Sequence, residues 1–343
     1  MPDSSPLRHP TAFARALAGW FAANGRDYPW RRTHDPYAVL VSEIMLQQTQ
    51  IATVLDRGYY ERWMKKFPNF RVLAKATEPE VLKAWEGLGY YRRARFLHQL
   101  AQKIVAEHSG VFPRDMVAIR KLPGIGDYTA GAVASFAFDD KQPLVDGNVA
   151  RVLSRLYNDP TPIDSTAGKK LLWQRAETLV NAADSARIHN SALMELGQTN
   201  CKTSTPSCSI CPVKKFCTAS DPISLPVKAK RTVITEVTER VYLLKTKEGV
   251  MLQQETGSRR TGLWKLPALE ENGKLSPVLH QCAYTITRYR VTLHVHAAPR
   301  RKPAAPASHH SIIPFSKLAD LPMPSPYRRA LIAVLPELKQ WSP

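Results

Sequence analysis

Between Thr11 and about Asn200 apolar residues return every three or four positions, with short polar breaks. That spacing predicts an almost continuous series of helices. Their starts are marked by capping residues. In "DPYAVLVSEIML" Asp35 takes the N-cap place with Pro36 at the first helical position, and "TEPEVLKAW" repeats the arrangement with Thr77 and Pro79. "LVDGNVARVLSRL" sets Asp146 just before an apolar-periodic run, and "SALMELGQTNC" carries a last helix into a cysteine-rich loop. "TASDPISLPVKAK" has no period and several prolines, which predicts a linker.

Beyond the linker the period becomes alternating. "TERVYLLKTKEGVMLQQE" predicts two strands around a "KEG" turn, and "AYTITRYRVTLHVHAA" predicts a strand rich in β-branched residues. "APRRKPAAPASHH" reads as a Pro/Ala loop and "SPYRRALIAVLPEL" as a closing helix. A single core rarely grows past about 250–300 residues, and this chain has 343. The expected architecture is a mostly α domain over 1–220, a linker over 221–235 and a smaller α+β domain over 236–343.

One helix breaks the pattern. "VSEIMLQQTQIATVL", Val41 to Leu55, reads as buried, yet it holds Glu43 and the run Gln47 to Gln50. Charge changes the picture next. With 48 Lys+Arg against 29 Asp+Glu the net charge is +19, spread over both halves, which points to a polyanionic partner such as nucleic acid. No apolar run reaches the roughly 18 residues of a membrane span, and the N-terminus lacks the apolar region of a secretory signal. A cytoplasmic protein without membrane contact is expected.

Four of the five cysteines, Cys201, Cys208, Cys211 and Cys217, are spaced C-x6-C-x2-C-x5-C. One tight pair flanked by wider gaps favours a [4Fe–4S] cluster over zinc, which usually shows two tight pairs. Lys202, Lys214 and Lys215 make this loop basic, while Cys282 stands alone in a strand-like segment and reads as a buried thiol. In "LPGIGDYTAGAVASF" two helices meet at a turn holding Gly124 and Gly126. Bare glycine backbone at the positive end of a helix suits a phosphate, the pattern of a helix-hairpin-helix.

"LPGIGDYTAGAV", "VDGNVARVL" and the four-cysteine loop follow in the order of the helix-hairpin-helix DNA glycosylases of the endonuclease III superfamily. Within that superfamily "YPWRR", "SEIMLQQTQ" and "GLGYYRRAR" resemble the MutY-type adenine DNA glycosylases. The resemblance is dense from Phe21 to Cys217 and resumes at "GLWKLP" and "MPSPYRRAL". It implies that Glu43 protonates adenine, Asp146 stabilises the cationic sugar, and Tyr128 and Asn148 assist there. It implies a pocket for extruded adenine lined by Arg26, Trp30, Arg31, Leu46 and Glu195. It also implies a helix break near Thr49, which periodicity does not decide, turning Gln48 towards DNA. Gln48 and Tyr90 would enter the base stack, with Thr49 against the opposite base.

An acid that protonates a base needs a pKa raised by burial, which would account for Glu43 in a core helix. Relatives that cut the strand carry a Schiff-base Lys two residues after the second glycine. Tyr128 stands there, and neither Lys121 nor Lys141 matches. A monofunctional enzyme with water as nucleophile is expected.

The second part resembles the family's Nudix-like domain, without the acidic box of a Nudix hydrolase. Ile286-Thr287-Arg288 stands where Phe-Ser-His or Phe-Thr-His is common, so Thr287 and Arg288 become the residues expected to read the lesion. The expected partner is duplex DNA with adenine opposite 8-oxoguanine or guanine, bound by a monomer. Two alternatives are an endonuclease III-like enzyme for oxidised pyrimidines and a catalytically silent DNA-binding protein.

Overall fold

The computed structural model describes residues 7–229, 233–257, 260–269, 276–299, 309–335 and 337–338. Most of the Pro/Ala segment, 300–308, the end of the linker, 230–232, and the acidic stretch 270–275 lie outside the described residues. The chain forms two compact units, Met1–Gln50 with Lys103–Arg231, and Ile51–Gln102 with Thr232–Pro343. Among the described residues no helix is long and apolar enough to cross a membrane.

The first unit is helical. Phe13 and Leu17 of helix Pro10–Asn24 join Val149, Leu153 and Leu156 of helix Gly147–Leu156 and Leu193 and Leu196 of helix Ala186–Thr199 in one core. Helix Pro36–Leu46 packs against helix Asp127–Phe138. It is buried from Tyr37 to Met45, with Asp35 Oδ1 accepting the Tyr37 amide at 3.0 Å as the N-cap. Asp146 likewise caps Gly147–Leu156. The apolar run through "QQTQ" does not continue as one helix. Gln47 turns extended, Gln48 takes φ +57°, and the next helix is Ile51–Asp56.

The second unit joins short helices to two sheets. Trp63 and Trp85, both fully buried, meet edge to face at 5.2 Å among the helices. Thr77 and Glu80 close a capping box on helix Glu78–Ala84. The strands are β1 Thr235–Leu243, β2 Gly249–Gln254, β3 Trp264–Lys265, β4 Val278–Ile286, β5 Tyr289–Ala297 and β6 His310–Pro314. One sheet has the order β1-β5-β4, with β1 parallel to β5, and the other β3-β2-β6. Helix Ser325–Val334 places Tyr327, Ala330 and Leu331 in a core with Val241, Val250, Leu252, Leu293 and Val295.

The two strands expected around "KEG" are β1 and β2, which lie in different sheets and meet at the turn through an antiparallel bridge between Lys245 and Val250. One strand expectation needs correction. The segment read as one strand is two, β4 and β5, antiparallel around a two-residue turn at Thr287 and Arg288. β-branched residues run through that turn and none of Gly, Asn or Pro marks it, so no local signal announces the reversal. The linear division at 221–235 follows the change from helix to strand; compaction instead groups 51–102 with the C-terminal segment.

Candidate active site

Glu43 lies one turn from the end of helix Pro36–Leu46 and is 5% exposed. Tyr128, in the first turn of helix Asp127–Phe138, donates its hydroxyl to Glu43 Oε2 at 2.9 Å. Burial pushes the Glu43 carboxyl up to about 7, and the nearby Asp146 charge adds to the rise. The Tyr128 hydrogen bond and the Arg31 charge act against it. Burial, with the Glu43 and Asp146 charges, pushes the Tyr128 phenol well up, so it stays a donor at neutral pH.

Asp146 accepts the Val149 amide at 2.7 Å through Oδ1 and the Asn148 side-chain amide at 3.0 Å through Oδ2. It is a helix cap and a charge facing Glu43 at once. All four residues named for the chemistry, Glu43, Tyr128, Asp146 and Asn148, come together here.

A second group forms around Glu195, which is fully buried. Arg31 donates to its Oε2 at 2.8 Å, and Arg26 Nε lies 3.5 Å from Oε1. Oε1 is buried yet receives no hydrogen bond, so it can accept one from a bound group. Arg31 lies over the rings of Tyr28 and Phe21, and Trp30 stacks on Tyr28 at 5.2 Å. Leu46 is the half-buried last residue of its helix. Gln48 is exposed and left-handed in the break, with Thr49 half-buried beside it.

Gly124 at φ +75° makes the hairpin turn, a conformation other residues take at a cost. Gly126 caps the second helix from extended backbone, and a Cβ added there meets nothing within 4 Å. Nothing among the described residues therefore requires glycine at 126. Tyr90 is exposed and left-handed at φ +47°. Thr287 is exposed and left-handed at φ +52°, with Arg288 exposed after it. Only six non-glycine residues among those described have positive φ. Three of them are Gln48, Tyr90 and Thr287, and such strain gathers at functional sites.

Cys201, Cys208, Cys211 and Cys217 are half-buried free thiols that line one small pocket with Arg155 and Lys214. Among the described residues no three Cys, His, Asp or Glu side chains converge as ligands of a single ion.

The sequence reading missed two arginines of helix Gly147–Leu156. Arg151 bridges Asn148 Oδ1 at 2.9 Å to the Cys201 carbonyl at 2.8 Å. Arg155 is 1% exposed and donates to the Cys201 Sγ at 3.3 Å and to the carbonyls of Cys201, Lys202, Thr203 and Leu225. The available signal was an i, i+4 pair of arginines four residues into a strongly apolar face.

A family model described as HhH-GPD superfamily base excision DNA repair protein matches residues 41–203. The adenine DNA glycosylase of Mus musculus is 47% identical over 221 residues, 61% of this chain and 42% of that protein. The chain thus spans about two-fifths of the length of the mammalian relatives it matches. The adenine DNA glycosylase of Buchnera aphidicola subsp. Baizongia pistaciae (strain Bp) is 35% identical over 258 residues, 74% of this chain and 71% of that protein. Among solved structures a thermostable thymine-DNA glycosylase is 32% identical with a TM-score of 0.55, covering 62% of this chain and 96% of that one.

Proposed function

Since the chain belongs to the HhH-GPD superfamily of base excision DNA repair proteins, we propose that it is an adenine DNA glycosylase that hydrolyses adenine from duplex DNA opposite 8-oxoguanine or guanine. The observation that carries this reading is Glu43, a buried carboxyl raised to about 7 and held by Tyr128 beside Asp146. Adenine leaves only when a ring nitrogen is protonated, and an acid with a pKa near the working pH is suited to that. Asp146, held by two donors, faces the positive charge that builds on the sugar as the bond breaks. Two carboxyls in contrasting environments divide the roles. Glu195, with one oxygen lacking a hydrogen bond, and the Arg26, Trp30 and Arg31 group form the pocket for the flipped base. Leu46 forms its wall.

Tyr128 occupies the place of a Schiff-base lysine and is engaged with Glu43, which supports water as the nucleophile. Gly124 and Gly126 present the helix amides to a phosphate. Gln48 and Tyr90 enter the stack, and Thr49, Thr287 and Arg288 face the base opposite adenine. The Nudix-like reading of the sheets belongs to this proposal.

The thiols of Cys201, Cys208, Cys211 and Cys217 fit a [4Fe–4S] cluster. They share a pocket without converging on one ion-sized point, whereas a zinc holds four thiolates at about 2.3 Å. The buried Arg155 guanidinium donates to one of them, and among the described residues its other hydrogen-bond partners are carbonyls, which leaves its charge to offset an anionic centre. Bound there, the cluster would tie four points of the basic loop together.

Labelled duplexes with A:8-oxoguanine, A:G, T:G or thymine glycol, incubated with and without alkali, test the reading. Strand breaks only after alkali, and only on the adenine substrates, are expected. Release of thymine from T:G, a test prompted by the structural neighbour's name as a thymine-DNA glycosylase, or of thymine glycol would overturn it.

A further inference from the structure

The loop that presents Tyr90 is built from "WEGLGYYRRAR", and two sets of contacts fix it within the second unit. The first set is local. Trp85 Nε1 donates to the Gly89 carbonyl at 3.0 Å, and Arg93 Nη2 donates to the carbonyls of Leu88 and Gly89 at 2.9 and 3.2 Å. Arg93 also lies over the rings of Trp85 and Tyr90. Gly87, at φ +99°, leaves no room for a side chain, since a Cβ would sit 1.9 Å from the Tyr59 hydroxyl.

The second set comes from the far end of the chain. Arg328 donates to both oxygens of Glu86, at 2.7 and 3.0 Å, and to the carbonyls of Leu318 and Leu321. Arg328 is 7% exposed and Lys83 adds a third charge on Glu86 at 2.7 Å. Tyr91 donates its hydroxyl to the Met323 carbonyl at 3.0 Å, and Arg95 donates to the Thr261 carbonyl. The C-terminal segment therefore grips the loop just before Tyr90, just after it, and one turn further on.

We propose that the Glu86–Arg328 pair and the Tyr91–Met323 bond are a clamp that holds Tyr90 in its left-handed, outward conformation, so that the C-terminal segment positions the wedge as well as reading the lesion. The inference rests on the wedge reading of Tyr90 given above. A left-handed non-glycine residue relaxes unless its surroundings over-determine it, and an exposed aromatic has few contacts of its own to do so. A bidentate, buried guanidinium–carboxylate pair is the most directional restraint available to a loop. It joins residues 242 positions apart. Glu86, Tyr91 and Arg328 are thus positioning residues that act through Tyr90.

A double-mutant cycle tests this. Single-turnover adenine release from A:8-oxoguanine and A:G duplexes is measured for Glu86→Gln, Tyr91→Phe, Tyr90→Ala and each of the first two combined with Tyr90→Ala. Fluorescence of a 2-aminopurine beside the mispair reports unstacking. Stacking of one base on an aromatic is worth about 1–3 kcal/mol, so Tyr90→Ala is expected to slow release roughly 10-fold. Glu86→Gln and Tyr91→Phe should each slow it several-fold and lower the 2-aminopurine signal, with no further loss in the Tyr90→Ala background. Tyr91→Phe removes one oxygen and keeps the ring, which covers the case in which Glu86→Gln fails to fold. Losses that multiply with that of Tyr90→Ala overturn the clamp alone, as does wild-type release by both single variants. Full activity of Tyr90→Ala instead overturns the wedge reading, and the clamp with it.

Discussion

Glu43 is costly to keep charged. Its carboxyl is raised by burial from the usual value to about 7, so the folded protein binds a proton more tightly there than the unfolded chain does. The stability this group contributes is complete below its unfolded value and falls as pH rises to about 7. Glu43→Gln keeps the shape and removes the charge. Its melting temperature should exceed that of wild type at pH 8, with the gap closing by pH 5; a gap independent of pH would contradict the assigned shift. The same variant should bind the mispair and release no adenine, since an amide cannot donate the proton. In wild type the single-turnover rate should fall about 10-fold per unit above pH 8 as the acid form disappears. Asp146→Asn separates the two roles of its residue. Asn caps a helix as well as Asp does, so the melting temperature should hardly move, while base release should drop by about 10²–10³ for a lost electrostatic partner. A drop of only a few-fold would leave Asp146 a cap.

At the scale of elements the hairpin and the cysteine loop make separable predictions. Gly126 has open space where a side chain would stand and a φ that alanine accepts. Gly126→Ala should therefore fold normally and bind duplex DNA about 10-fold more weakly, because the methyl would occupy the phosphate's place. Unchanged affinity would remove the hairpin turn from the interface. In the cysteine loop Arg155 is buried against a thiol and four carbonyls. Arg155→Met should leave those acceptors unpaired, and the purified protein should carry well under the wild-type iron and show a weaker absorbance in the blue. Full iron content would show that the loop holds the centre without this charge.

At the scale of the molecule the proposed function divides the work between the two units. Glu43, Tyr128, Asp146 and Asn148 belong to the first, while Tyr90, Thr287 and Arg288 belong to the second. Arg288→Ala tests the second by itself. As a reader of base edges, Arg288 should give up about 1–3 kcal/mol of the preference for A:8-oxoguanine over A:G. As a phosphate anchor it should weaken both equally and lower the salt slope by about one. Dissociation constants at two salt concentrations distinguish these. The net charge of +19 favours any duplex in either case, and the salt slope counts the phosphates neutralised.

Local order was legible in the sequence because it is encoded locally. Asp35 and Asp146 announce the helices they cap, Thr77 with Pro79 marks another start, and Glu43 stands out because an acid in a buried helical face is costly. The order of hairpin, aspartate loop and cysteine loop identified the superfamily for the same reason. Contacts between distant positions decided the rest. Glu43 meets Tyr128 across 85 positions, Arg31 meets Glu195 across 164, and Glu86 meets Arg328 across 242. The break at Gln47 to Gln50, the reversal at Thr287 and Arg288, and the grouping of 51–102 with the C-terminal segment leave no period to read. Each depends on which surfaces pack against it, and packing overrides a local preference worth well under 1 kcal/mol per residue.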